Sequence, residues 1–253
     1  MRTSLNTDAA ITRKKNMSNN NIYYTTYLKI FFKYFTANLE PKVRRHLSRV
    51  YITSTLGAVT AAVGGYVYML GVFVGAELLT AFCATGALLW LLLLASEKNS
   101  KLLLFEIFAF FTGCILGPLL NVAVEINPAL ITEAFLGASV VFACFSLSAL
   151  FAPRGQYLYL GGILSSILSI LLVMSAINIL SDLVRVYVGL FITCGFILFD
   201  TQNIIEKVKS NDEDYVVHAV DLFLDFITLF KDLLIIRINK EVAKAKQNKK
   251  KNS

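Results

Sequence analysis

Seven stretches of mainly apolar residues run through this chain, each near the roughly 20 needed to cross a bilayer as a helix. They lie at Tyr51–Phe73, Leu78–Ala95, Leu102–Val122, Ala129–Phe151, Tyr157–Ile177, Val184–Phe199 and Tyr215–Ile236. No other feature limits the fold as strongly. Short polar punctuation separates them, at Glu97–Lys101, Pro153–Gln156 and the charged run Glu206–Asp214. Pro118, Pro128 and Pro153 fall at or near the ends of stretches, where a missing N–H costs least. Composition agrees. The chain is 56% hydrophobic and 16% charged, against about 45–50% and about 25% in soluble domains. A soluble fold of this size cannot hide that much apolar surface. The pattern predicts an all-α polytopic membrane protein with six to seven transmembrane helices.

Charge is placed unevenly. Residues 1–50 carry ten basic and two acidic side chains, residues 237–253 seven basic and one acidic, and the whole chain is +7. The middle is therefore net acidic. Basic ends around such a middle read as flanks on a membrane domain; nucleic-acid binding lacks a folded basic module to carry it. The expected organisation is a disordered polar tail at 1–27, a basic amphipathic pre-helix at 28–49, a helix bundle at 50–237 and a basic cytosolic tail at 238–253. The first stretch has no apolar core and is not a signal peptide, and the Asn16-Met17-Ser18 sequon is accidental if that tail is cytosolic. In the pre-helix, Leu28, Phe31, Phe32 and Phe35 share one face beside Lys29 and Lys33.

Lys98, Lys101, Arg154, Lys207 and Lys209 in alternate loops place the N-terminus in the cytosol. Seven full crossings would then export the lysine-rich end, so both termini are expected in the cytosol and the last segment re-entrant or incompletely spanning. Gly57, Ala61 and Gly65, and Ser165 and Ser169, repeat at the spacing of close helix contacts. Cys83, Cys114, Cys144 and Cys194 sit singly in apolar runs and read as small hydrophobes. With only His46 and His218 besides, no zinc constellation or cofactor is expected.

Acids inside a membrane helix are costly and normally face protein or water. The sixth stretch runs into Asp200-Thr201-Gln202, and the seventh carries Asp221, Asp225 and Asp232, spaced four and seven apart and so on one helical face. A short loop makes the two segments an antiparallel hairpin. Asp200 lies 15 residues before Tyr215 and Asp225 ten after it, so the two can reach similar depth. Two carboxylates close together in low dielectric cannot both ionise easily, and one proton is shared. Protonated, such a pair latches two helices; deprotonated, it offers oxygens to a hard cation such as calcium. The plainer alternative is that Asp200 caps a helix and Asp221 touches water. Glu106 has Lys101 nearby to neutralise it. An intramembrane aspartyl protease also uses two aspartates, but here GxGD is missing and Pro128-Ala129-Leu130 precedes both acids instead of following them. No enzyme is expected.

Gly195-Phe196-Ile197-Leu198-Phe199-Asp200-Thr201-Gln202 and Asp221-Leu222-Phe223-Leu224-Asp225-Phe226-Ile227 resemble the Bax inhibitor family of endoplasmic-reticulum membrane proteins. Thr112-Gly113, Gly117-Pro118-Leu119-Leu120, Ala134-Phe135-Leu136-Gly137, Phe145-Ser146-Leu147-Ser148-Ala149-Leu150 and Tyr159-Leu160-Gly161-Gly162 extend the match over nearly all of residues 28–250. The resemblance implies a suppressor of programmed cell death that leaks calcium from the endoplasmic reticulum, with Asp200 and Asp225 as a pH-sensing pair and the last helix central in the bundle; Asp221 and Asp232, on the same helical face as Asp225, are the candidate accessories. Its partners would be lipid, calcium ions and protons, and other endoplasmic-reticulum membrane proteins. The basic group that accompanies the pair in prokaryotic relatives has no clear match. Lys250-Lys251-Asn252-Ser253 resembles a dilysine retrieval signal. The alternative function is a membrane scaffold that inhibits cell death by binding partner proteins, without channel activity.

Overall fold

The computed structural model describes residues 40–177 and 181–251. Seven helices make up the ordered elements among them: α1 (Pro41–Met69), α2 (Glu77–Leu93), α3 (Lys98–Ile126), α4 (Ala129–Phe151), α5 (Leu160–Ala176), α6 (Asp182–Lys209) and α7 (Tyr215–Lys251). The polar tail, the amphipathic face at 28–36 and the Asn16 sequon lie outside the described residues. Residues up to Arg44 and residues 45–253 form two compact units; the described part of the first is the start of α1, and the helix packing belongs to the second.

By length and apolar content, α1, α3, α4 and α6 suffice to cross a membrane, and α2 and α5 are shorter apolar helices. Their outward side chains are large and apolar: Leu78, Phe82, Trp90 and Leu93 on α2, Ile170 and Leu172 on α5, Phe191 on α6. Apolar surface on that scale needs lipid against it. The protein is an all-α polytopic membrane protein.

The last helix is the centre. It packs on α3, α4 and α6 and meets α1 through Phe223 beside Gly57. Leu222, Phe223, Leu229 and Leu234 are fully buried. Phe223 lies edge-on to Phe105 at 5.5 Å and to Phe108 at 5.8 Å between ring centres, which ties α7 to α3. By contrast α2 packs on α3, and α5 on α6.

Small residues set the closest approach. A Cβ on Gly113 would strike the backbone of Ala61, and one on Gly64 the backbone of Phe110. There α1 and α3 touch main chain to main chain, and Cys114 Sγ donates to the Gly64 carbonyl at 3.3 Å. Ala61 of the expected small-residue face is thus at a helix contact. Ser165 and Ser169 are not: both are exposed and bond back to the carbonyls of Gly161 and Ser165. The contact face of α5 is instead Gly161, under Phe199, and Leu164, against Gly195. Pro118 lies inside α3 rather than at an end.

The two ends of the bundle are marked by polar contacts. At one, His46 near the start of α1 meets His218 near the start of α7, and Lys101 in α3 pairs with Asp214, which immediately precedes α7. At the other, Glu133 near the start of α4 pairs with Arg237 of α7 at 3.3 Å. The last helix is unbroken for 37 residues, about 55 Å at the usual rise. Its backbone is therefore not re-entrant, and residues 240–251 lie at the end opposite His46.

Candidate functional site

Helices α6 and α7 are joined by a five-residue turn, Ser210–Asp214, closed by Asn211 at φ 65°. The tight reversal sets the register between them. Asp200 of α6 then comes level with Asp225 of α7, and the two carboxyls act directly on each other. Asp225 is 8% exposed, and its Oδ2 has no hydrogen-bond partner. Asp221, one turn earlier on α7, acts electrostatically on both. A basic group also reaches this cluster: Lys207, from the last turns of α6, acts through space on Asp200 and Asp221. The sequence offered no way to select it from among the lysines of the Glu206–Asp214 run.

Asp232 does not join the pair. It is buried two turns further along α7, its carboxylate over Gly189 of α6. Asp225 and Asp232 both line a cavity of about 540 Å³ between α5, α6 and α7, which Arg185 and Lys231 also border. A second cavity, about 210 Å³, lies on the α1 and α4 side and is lined by Tyr51, Ser54, Thr55, Ser139 and Phe226. The hydroxyl of Tyr51 approaches those of Ser146 and Thr201, and Asp225 acts on it through space.

Other expected residues fall elsewhere. Lys101 does not neutralise Glu106: it pairs with Asp214, while Glu106 accepts a hydrogen bond from Thr60 Oγ1 at 2.5 Å. Five positions along a helix put Lys101 and Glu106 on different faces, and the lysine goes to Asp214 instead. Burial pushes the Asp214 carboxyl up, but the Lys101 ammonium and the backbone N–H groups of Val217 and Val216 outweigh it and hold the group below its usual range. Gln202 closes the end of α4: its amide N–H groups donate to the carbonyls of Ala149 and Pro153, at 3.3 and 3.1 Å, and its oxygen accepts from the Tyr157 N–H at 2.7 Å. The four cysteines are free; Cys114 is buried and Cys144 exposed. The backbone of Lys250 and Lys251 continues α7, and their side chains lie outside the described residues. Among the described residues no cluster of three or more His, Cys, Asp or Glu side chains can hold a metal ion.

An apolar-coated bundle with an acidic central helix defines a class, the polytopic α-helical membrane protein that keeps ionisable groups in its core. The family model described as "Inhibitor of apoptosis-promoting Bax1" matches residues 43–242. Bax inhibitor 1 of Homo sapiens is 42% identical over 221 residues, covering 84% of this chain and 93% of the relative. Bax inhibitor 1 of Drosophila melanogaster is 40% identical, covering 84% and 91%, and that of Arabidopsis thaliana is 38% identical, covering 81% and 85%. The chain belongs to the Bax inhibitor family.

Proposed function

We propose that this protein suppresses programmed cell death from the endoplasmic-reticulum membrane, and that it acts as a proton-controlled calcium leak gated by Asp200 and Asp225. The death-suppressing part rests on the names of its relatives. The ion-leak part rests on one observation: two carboxyls that act directly on each other between apolar helices, one of them, Asp225, at the wall of a cavity. A shared proton joins α6 to α7. Its loss leaves two like charges in low dielectric, which repel unless a cation enters between them. Asp221 and Asp232 extend the acidic surface on either side, and Lys207 supplies a counter-charge near the pair. Sidedness adds a condition. A retrieval role for Lys250 and Lys251 needs them in the cytosol, whereas Lys98, Arg154 and Lys207, at or beside helix ends on the other side, favour the cytosol for that end.

Calcium efflux from liposomes holding the purified protein, scanned across pH, tests the leak. Flux should depend on pH in the parent, and Asp225→Asn and Asp200→Asn should each abolish that dependence. An unchanged pH response in both variants removes the mechanism. The scaffold reading draws support from the basic helical extension beyond Arg237. It requires that Asp225→Asn still protect cells from death, and that deletion of residues 240–253 abolish protection.

A further inference from the structure

Five buried side-chain atoms among the described residues have no hydrogen-bond partner, and four of them belong to one neighbourhood: Tyr51 Oη, Ser146 Oγ, Thr201 Oγ1 and Asp225 Oδ2. Each comes from a different helix, α1, α4, α6 and α7. The pattern is unlike ordinary hydroxyls in apolar helices, which bond back to the carbonyl four residues earlier, as Thr55, Thr112, Ser139 and Thr193 do. Leaving a buried polar atom unpaired is unfavourable; a proton shared with Asp200 satisfies Asp225, and the three hydroxyls still need a common explanation. Thr201 is fully buried, and Ser146 is 4% exposed. Tyr51 approaches both hydroxyls, while Asp200 reaches Asp225. One cavity ends on Tyr51 and the other on Asp225.

We propose that Tyr51, Ser146 and Thr201 complete a dehydrating binding site for a divalent hard cation whose anionic half is the Asp200–Asp225 pair. This rests on the calcium-leak reading and deepens it by naming the neutral ligands. All the donors are oxygens, which selects hard ions. Two carboxylates balance a divalent charge and leave a monovalent ion with an excess of negative charge. Calcium accepts six to eight oxygens in irregular geometry, with water filling what protein does not supply, whereas magnesium demands a near-ideal octahedron and dehydrates reluctantly. A mixed carboxylate and hydroxyl set drawn from four helices suits the former. The charged groups around it are Asp221 and Lys207; Cys194, also near Asp225, supplies a single sulfur and no soft-metal site.

The test is equilibrium calcium binding to the full chain in lipid nanodiscs, beside thermal unfolding of the calcium-free protein. Tyr51→Phe, Ser146→Ala and Thr201→Val each remove one oxygen and keep the shape. Each should weaken calcium binding by about tenfold, the loss of one charge-assisted contact, with the calcium-free melting temperature unchanged or raised, since the lost atom had no partner. Thr201→Ser, which keeps the oxygen, should restore affinity. Parent-like affinity in all three variants, while liposome flux still depends on Asp225, overturns the hydroxyl ligands and leaves the leak standing. Lower calcium-free stability with unchanged affinity shows a structural network and also overturns the proposal. A parent protein that neither binds calcium nor passes it removes both readings.

Discussion

The outermost and innermost helices of this bundle invert the rule that holds for soluble proteins. Helix α2 carries no acid after Glu77 and is almost wholly apolar, yet it buries only Thr80, Ala84, Ala87 and Leu91 and turns Leu78, Phe82, Trp90 and Leu93 outward. Helix α7 carries Asp221, Asp225 and Asp232, is more polar than the four helices apolar enough to cross a membrane, and is buried on nearly every side between Val216 and Ile238. In water the more polar element stays outside. In lipid the cost of an exposed carboxylate drives the acidic helix to the centre, and the most apolar one is free to face hydrocarbon. Burial in such a protein therefore follows polarity and shape more than hydrophobicity.

Matched substitutions sharpen that contrast. The largest effect is steric. Gly113→Leu pushes a side chain into the backbone of Ala61, and no folded protein should survive extraction into mild detergent. Gly86→Leu on α2, where nothing lies within 4 Å, should extract and migrate as the parent does on size exclusion. Next is packing. Phe223→Ala on α7 should cost about 3–5 kcal/mol, as for other fully buried aromatics, read as a lower unfolding midpoint in denaturant. Phe82→Ala on α2, which is 75% exposed, should stay within about 0.5 kcal/mol of the parent. Equal losses at the two sites would break the comparison.

Smaller still is the pairing of Lys101 with Asp214. The carboxyl is held below its usual range in the folded protein. Its contribution is thus present above the ordinary carboxylate pKa and is lost as pH falls below about 4, through the lower folded value. Partial exposure limits it to less than about 1 kcal/mol. Asp214→Asn should flatten that acid limb of the stability profile and leave neutral stability nearly unchanged. Least of all is Arg237 with Glu133, both near half-exposed. Arg237→Gln should shift the melting temperature by no more than the scatter between preparations.

The sequence makes the helices legible because lipid imposes a length. The stretch read at Ala129–Phe151 is α4 to the residue. The stretch read at Val184–Phe199 falls short of α6, because Asp200–Lys209 continues the helix on polar residues that carry no apolar signal. Depth along two adjoining helices places Asp200 level with Asp225, since a short turn leaves little freedom of register. Tyr51, Ser146 and Thr201 gave no such signal. Each is one hydroxyl among several in its stretch, and only the meeting of three helices far apart in the chain makes them neighbours. Lys101 misleads for the opposite reason: proximity in sequence points to Glu106, and Asp214, more than a hundred residues away, is its partner.

The central place of α7 has a consequence for how the chain is built. Among the described helices this one leaves the ribosome after the other six, so their centre is made last. Until it arrives, α1, α3, α4 and α6 have no partner for the faces that will hold Phe223 and Leu229, and they wait in the bilayer with a slot between them. Assembly then ends with the insertion of the one helix least able to remain alone in lipid. A chain interrupted before Tyr215 keeps its apolar exterior and lacks its keystone, a difference that membrane quality control can read.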